Sequence, residues 1–330
     1  MTDNWGLLGH EWAVDMLHGH LARGRVRHAY LFTGPPGLGK RTLALRFAMA
    51  LNCTQPEAPG EPCGACRDCR GFKAGAHPDL TVVAAETPGG TLKVDQVREV
   101  RRLIPLKPYQ ADYRVALFLR FQEANDAAAN ALLKTLEEAP AHAVLVLTAE
   151  APEQLLPTIT SRCELLRLRP LPVETLADHL KSRGTDAEGA SLIAHISGGR
   201  PGYALRLLAD PSALESRAER LDELQALLGA TRVDRFKYAE SLARDREAMR
   251  ETLLVWSSYW RDVLLRASGA ATPIANPDRG EAIDALAERL DLRGARAVLR
   301  NLESALRRLE RNVNARLLAE VMLLDFPKID

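Results

Sequence analysis

The stretch His28-Ala29-Tyr30-Leu31-Phe32-Thr33-Gly34-Pro35-Pro36-Gly37-Leu38-Gly39-Lys40-Arg41-Thr42 decides how the rest of the chain is read. Ala29 to Phe32 is a short apolar run of the kind that forms a buried strand. It leads directly into Gly34 to Lys40, which match the G-x-x-x-x-G-K half of a phosphate-binding loop. Leu43, Leu45 and Phe47 then predict a helix from about Arg41 to Asn52. Strand, loop and helix in that order are what the motif needs. Glycines let backbone N–H groups curl round phosphates, the helix N-terminus adds positive potential, and the lysine pairs with the outer phosphates. Gly34, Gly37, Gly39, Lys40 and Thr42 are therefore the candidate nucleotide-binding residues. The bland alternative is a glycine-rich turn of no function.

Part of the motif is missing. The position after Lys40 should be Ser or Thr, whose hydroxyl holds Mg²⁺, and here it is Arg41. A guanidinium has no acceptor atom and would repel the cation. The strand 115–119 should end in acidic residues that orient the metal and the attacking water, yet it runs into Leu119 and Arg120. Glu123 lies three residues further on and reaches that position only with a shift of register. With two parts of the metal site gone, nucleotide can still bind, but hydrolysis is not expected.

Working outward, 1–27 reads as a helical lead-in through Leu7, Ala13, Leu17 and Leu21. Further strands are predicted at 80–83, 115–119, 144–147 and 165–168, with helices at 96–103 and 126–138 between them. Strands alternating with helices imply a parallel sheet. Residues 53–78 are rich in Pro, Gly and Cys, show no periodicity and form an insertion. After Pro170 the strand signals stop and the pattern is helical, so the class is α/β followed by all-α. In the last helix Leu302, Leu306, Leu309, Val313, Leu317, Val321 and Leu324 make one apolar stripe. Trp256 and Trp260, one turn apart, read as core.

Composition narrows the function. Lys and Arg number 44 against 43 Asp and Glu, a net charge of +1, so binding to nucleic acid or membrane by bulk charge is ruled out. A length of 330 residues suits about two or three domains. Met1-Thr2-Asp3-Asn4 shows no secretory signal, and no apolar run approaches the ~20 residues that span a bilayer, so a cytoplasmic protein is expected. Reduced cysteines follow from that compartment. Cys53, Cys63, Cys66 and Cys69 have the spacing C-x9-C-x2-C-x2-C, which can bring four thiolates round one tetrahedral Zn²⁺ with no position left for a catalytic water. Disulfides or free thiols are the alternative. His77 could be imagined as a ligand, but four cysteines already fill the site.

The motifs together resemble a known group. The P-loop, Cys63-x-x-Cys66-x-x-Cys69, His77-Pro78-Asp79, the run Asn130-Ala131-Leu132-Leu133-Lys134-Thr135-Leu136-Glu137-Glu138 and Ser161-Arg162-Cys163 are similar in order and spacing to the bacterial clamp-loader AAA+ subunits. The resemblance implies an AAA+ P-loop sheet domain at 1–170 with a zinc-binding insertion at 53–69, a small helical lid at 171–210 and a helical collar at 211–330. It implies that Arg162 is an arginine finger acting in trans on a neighbour's nucleotide, where a guanidinium meets charge developing on the γ-phosphate. A surface ion pair is the bland reading of Arg162. The family's acidic pair falls on Leu119 and Arg120, and its lid-domain arginine falls on Gly202. These departures imply a non-hydrolysing member that completes a ring with tau/gamma and delta subunits, and the largely intact P-loop leaves ATP binding without turnover open. The ring acts on the sliding clamp and primed DNA. Two rival readings are an active ATPase subunit and a stand-alone zinc-containing nucleic-acid-binding module. Cys163 is expected to be a small buried hydrophobe, since nothing places a His base beside it.

Overall fold

The computed structural model describes residues 4–87, 89–309 and 313–329. The chain divides into two compact units, Met1–Leu171 with Arg200–Tyr203, and Pro172–Gly199 with Ala204–Asp330. No helix among the described residues is long and apolar enough to cross a membrane.

The first unit runs α1 (Glu11–Ala22), β1 (Ala29–Thr33), α2 (Lys40–Asn52), α3 (Arg67–Ala74), β2 (Leu80–Val83), α4 (Val94–Leu103), β3 (Arg114–Phe118), α5 (Asp126–Glu137), β4 (Ala143–Ala149), α6 (Pro157–Thr160) and β5 (Glu164–Arg167). The five strands form one parallel sheet in the order β2-β3-β4-β1-β5. Alternation along β1 sends Tyr30 and Phe32 to one face, with Leu17, Leu43 and Phe47. Ala29 and Leu31 go to the other, with Val100, Leu132 and Leu136. Both faces are covered, which is why these strands read as unbroken apolar runs. The chain leaves β1 toward β2 and leaves β4 toward β5, so the connections from these neighbouring strands run in opposite directions along the sheet. Ligand crevices of such sheets lie at that point, beyond the carboxyl ends of the strands.

The predicted strands are found to within two residues. The insertion, read as irregular throughout, contains a helix, α3. Its first turn is capped by sulfur, with the Cys69 N–H donating to the Cys66 thiol, and Gly75 closes its far end in the left-handed region. Eight residues with a central glycine give too short a pattern for periodicity to register.

The second unit is helical: α7 (Val173–Ser182), α8 (Ala187–Ser197), the part of α9 (Pro201–Ala209) beyond Tyr203, α10 (Ser212–Gly229), α11 (Arg232–Leu242), α12 (Arg246–Ala267), α13 (Gly280–Arg289), α14 (Leu292–Leu309) and α15 (Ala315–Leu324). Its core is built on α12, whose Trp256, Tyr259 and Trp260 are fully buried. Phe326 packs against both tryptophans, with ring centroids 5.7 and 6.3 Å away.

The single stripe expected from Leu302 to Leu324 is corrected here. Asn314 caps a separate helix, its Oδ1 accepting from the Leu317 N–H at 3.1 Å. The new helix starts in a different phase, so Leu318, Ala319, Met322 and Leu323 are buried while Val313, Leu317, Val321 and Leu324 are exposed.

One buried cation ties this unit together. Arg235 on α11 donates to the carbonyls of Leu227, Leu228, Leu323, Phe326 and Pro327, at 2.7–3.2 Å. They lie at or just beyond the ends of α10 and α15; those of Leu227, Leu228 and Leu323 also accept from the N–H groups of Ala230, Ile329 and Phe326, and Arg235 adds a second, charged donor to each. Arg235→Met should therefore cost about 3 kcal/mol of stability, read as a lowered urea midpoint, because buried acceptors lose a charged donor. Arg235→Lys should recover only part, since an ammonium has three donors where the guanidinium offers a five-donor fork.

Candidate functional site

The P-loop leaves β1 at Gly34, whose φ of 135° only glycine tolerates. A Cβ there would also stand 2.5 Å from the Leu168 carbonyl oxygen. Two carbonyls of the loop are hydrogen-bonded by other segments. The Leu38 carbonyl lies 3.0 Å from Nε2 of buried His10, and because a carbonyl only accepts, that nitrogen carries the proton. The Gly37 carbonyl accepts from the Gly202 N–H at 2.7 Å. Helix α2 opens at Lys40, and its first N–H groups have no intrahelical partner. The loop thus keeps the anion-facing side of a phosphate cradle. The Lys40 ammonium folds back on the Gly34 and Pro35 carbonyls. Burial, opposed by the Glu150 charge, lowers its pKa to about 8. Thr42 is exposed on the first turn of α2, one residue beyond the usual hydroxyl position.

Neither metal-holding position is acidic or hydroxylic. Arg41 is exposed, and a Cβ at Gly75 beyond α3 would lie 3.8 Å from its Nη2. At the end of β3, Leu119 packs against the core on the sheet face that carries Tyr30, Phe32 and Phe47. Arg120 turns into the left-handed region with φ 51°, held by its N–H donating to Thr148 Oγ1 at 2.9 Å. Its Nε donates to Glu123 Oε1 at 2.7 Å. Glu123 therefore neutralises Arg120. At Gly202, a Cβ would come within 2.9 Å of the Gly37 oxygen. Glycine is the residue that this approach admits, so the position expected to carry an arginine in the family has no room for one.

Arg162 follows α6 and is 37% exposed. Its Nη1 donates to the Thr158 carbonyl at 2.9 Å, and its Nη2 to Glu137 Oε1 at 2.7 Å. Next to it, burial pushes the Cys163 thiol up to about 12, which keeps it protonated and inert.

The four cysteines come together. The sulfurs of Cys53, Cys63, Cys66 and Cys69 all lie within 4.8 Å of one another. Tetrahedral thiolates at about 2.3 Å from an ion stand about 3.8 Å apart, so the set fits a metal with small adjustment. The N–H groups of Cys63, Cys66 and Cys69 donate to the sulfurs of Cys53, Cys63 and Cys66, at 3.3–3.4 Å. Burial would raise the Cys66 thiol, but donors from Cys69 and Thr54 outweigh it and bring it down to about 6. His77 is not part of this group.

His77 belongs to a polar network that sequence reasoning missed. Its ring stacks on Phe72 of α3, with centroids 4.0 Å apart. Its Nε2 donates to Asp68 Oδ1 at 3.1 Å, while Nδ1 accepts from the Asp79 N–H. Asp79, fully buried, accepts from the N–H groups of Tyr109, Gln110 and Ala111 at 2.7–3.0 Å and pairs with Arg114 at 3.2 Å. The Gln110 amide reaches back to Asp68. Helix α3, the strand β2 and the loop before β3 are thereby locked together. The His-Pro-Asp motif was visible in the sequence, but the backbone donors to its Asp79 lie about thirty residues away.

A five-stranded parallel sheet with a phosphate loop after its first strand defines a P-loop type of domain. The family described as DNA polymerase III, delta subunit, matches residues 9–172, and the one described as DNA polymerase III, delta subunit, C terminal, matches 211–328. The chain belongs to this DNA polymerase III delta-subunit family. It is 38% identical to the DNA polymerase III subunit delta' of Pseudomonas aeruginosa over 62% of this chain and 63% of that protein. To the subunit delta' of Escherichia coli it is 40% identical over 56% of this chain and 55% of that one. The match thus spans under two thirds of either relative's length. The DNA polymerase III subunit gamma/tau of Mycobacterium tuberculosis is 36% identical over 61% of this chain and 36% of its own length.

Asp79 supplies a test of the network. Burial acts to raise its pKa, but the three N–H donors and Arg114 outweigh it and hold the carboxyl below its ordinary 3.8. A depressed folded value means that its contribution is full above about pH 4 and fades as pH falls through the lower, folded value. Asp79→Asn should cost about 2 kcal/mol at neutral pH. In urea titrations from pH 7 downward, the gap between wild type and variant should stay constant to about pH 4 and close below it.

Proposed function

We propose that this chain is a non-hydrolysing, delta'-like subunit of the DNA polymerase III clamp loader, which helps to place the sliding clamp on primed DNA. It completes a ring with tau/gamma and delta subunits and donates Arg162 to a neighbour's nucleotide. The observation that carries the reading is the pairing of an exposed guanidinium at Arg162 with a phosphate loop that has lost its metal anchors. Chemistry that the chain cannot perform on its own nucleotide it assists at the next site. Within this reading, 1–170 is the AAA+ domain, 171–210 the lid and 211–330 the collar that holds the oligomer. Such a protein works in the cytoplasm.

Two further assignments go with it. Gly34, Gly37, Gly39, Lys40 and Thr42 hold the phosphates of an ATP that is not hydrolysed, with Arg41 and Arg120 in the places where Mg²⁺ would need oxygen ligands. Cys53, Cys63, Cys66 and Cys69 hold a structural Zn²⁺, a role that suits four converging sulfurs with backbone N–H donors and no open position.

The deciding experiment measures assembly mass and ATPase rate together, with and without a tau/gamma partner. The isolated chain should form no product from ATP above background, and any affinity for ATP should change little when Mg²⁺ is chelated. Turnover by the chain alone that disappears in Lys40→Ala would reverse the reading. In the assembled complex, Arg162→Ala should leave ring mass unchanged and slow ATP hydrolysis and clamp loading. A finger is worth ~10³–10⁵ in rate at its own site, and the complex-wide fall should be smaller because other sites keep theirs. Arg162→Lys should rescue poorly for want of the planar fork.

Metal analysis of protein purified without chelators should give one zinc per chain. Removing it should loosen 53–69 to proteolysis while the sheet survives, since the cluster lies outside the strands. Protein free of zinc but with the insertion protected would rule the assignment out.

A further inference from the structure

Arg162 is held from two sides by its own chain. The Thr158 carbonyl, one turn earlier, takes Nη1, and the Glu137 carboxylate, from the last turn of α5, takes Nη2. Three of the five guanidinium N–H donors remain for another ligand. Glu137 is 51% exposed, so the pair sits at the water boundary. An exposed pair of this kind biases a side chain by no more than about fivefold. Contact with a triphosphate through a finger is worth ~10³–10⁵ in rate. The pair is too weak to withhold the guanidinium from phosphate, yet strong enough to select among the many rotamers of a free arginine.

We propose that Glu137 is a positioning residue for Arg162, presetting the guanidinium at the surface so that less ordering remains when it meets the neighbour's phosphates. This rests on the trans reading of Arg162. The role also gives a purpose to the first glutamate of the run 130–138, which the phosphate loop and the sheet leave unused. Glu137 reaches Arg162 across 25 positions of sequence because α5 and α6 pack against each other.

The test uses the assembled complex with its ATPase partner. Glu137→Gln, which keeps the shape and removes the charge, and Glu137→Ala should lower kcat for ATP by up to about fivefold, less than Arg162→Ala does, with KM unchanged. Glu137→Asp should recover part of the loss. Placed on Arg162→Ala, Glu137→Ala should add nothing, because both changes act through one guanidinium. If Arg162→Ala itself has no effect, the trans reading fails and this inference with it. If Arg162→Ala slows the complex but Glu137→Gln and Glu137→Ala leave kcat unchanged, or lower it equally in the Arg162→Ala background, only the positioning role is lost. A rise in kcat in the Glu137 variants would make Glu137 a competing counter-ion and overturn the proposal.

Discussion

β1 runs through the interior of the sheet, hydrogen-bonded to β4 on one side and β5 on the other, with both faces buried. A strand so enclosed can release its chain only at its end, and it does so at Gly34, the start of the phosphate loop. The loop must then turn within the depth of the sheet edge, which the positive φ of Gly34, Gly37 and Gly39 makes feasible. His10, Glu150 and Gly202 each reach this turn from different segments. The cradle is therefore a product of the whole first unit. Glu150 takes the Gly34 N–H through its carbonyl, while His10 and Gly202 claim the Leu38 and Gly37 carbonyls.

Electrostatics explains what the cradle can still do. A phosphate site needs positive potential, which Lys40 and the α2 N-terminus supply. Hydrolysis needs in addition a metal held by oxygen ligands, and a cation cannot share that place with guanidinium groups. Arg120 is neutralised by Glu123 and so does not add to the field at the loop. The proposed reading, binding without turnover, rests on this charge arrangement.

Both units rely on a buried ion whose partners are mostly backbone groups. In the first, the Asp79 carboxylate gathers three N–H groups as well as Arg114. In the second, the Arg235 guanidinium gathers five carbonyls. A buried charge is costly unless it is fully hydrogen-bonded, and each of these is surrounded by loop or helix-end backbone groups that supply those bonds. The cysteine cluster extends the first network, since Asp68 lies between Cys66, which caps α3, and Cys69 on its first turn. If the cluster holds the proposed Zn²⁺, its loss should be felt at Asp68 and Gln110 before it reaches the strands.

The positions of the strands, the phosphate loop, the missing metal anchors and the cysteine quartet were all legible by eye. Each is a local pattern, set by spacing along a single element or loop. The short helix α3 was not, because its cap is a thiol and its pattern spans only eight residues. The stripe from Leu302 to Leu324 misled for the opposite reason: its period persists through a break at Asn314, where a cap restarts the helix in another phase. His10 on the loop carbonyl, Glu137 on Arg162 and the donors around Asp79 lie 25 or more positions from their partners. Sequence alone thus determined which chemical groups the chain possesses and which it lacks. Tertiary structure decided which of them meet, because hydrogen bonds and ion pairs act over a few ångströms of space and carry no signature in the spacing of residues that far apart.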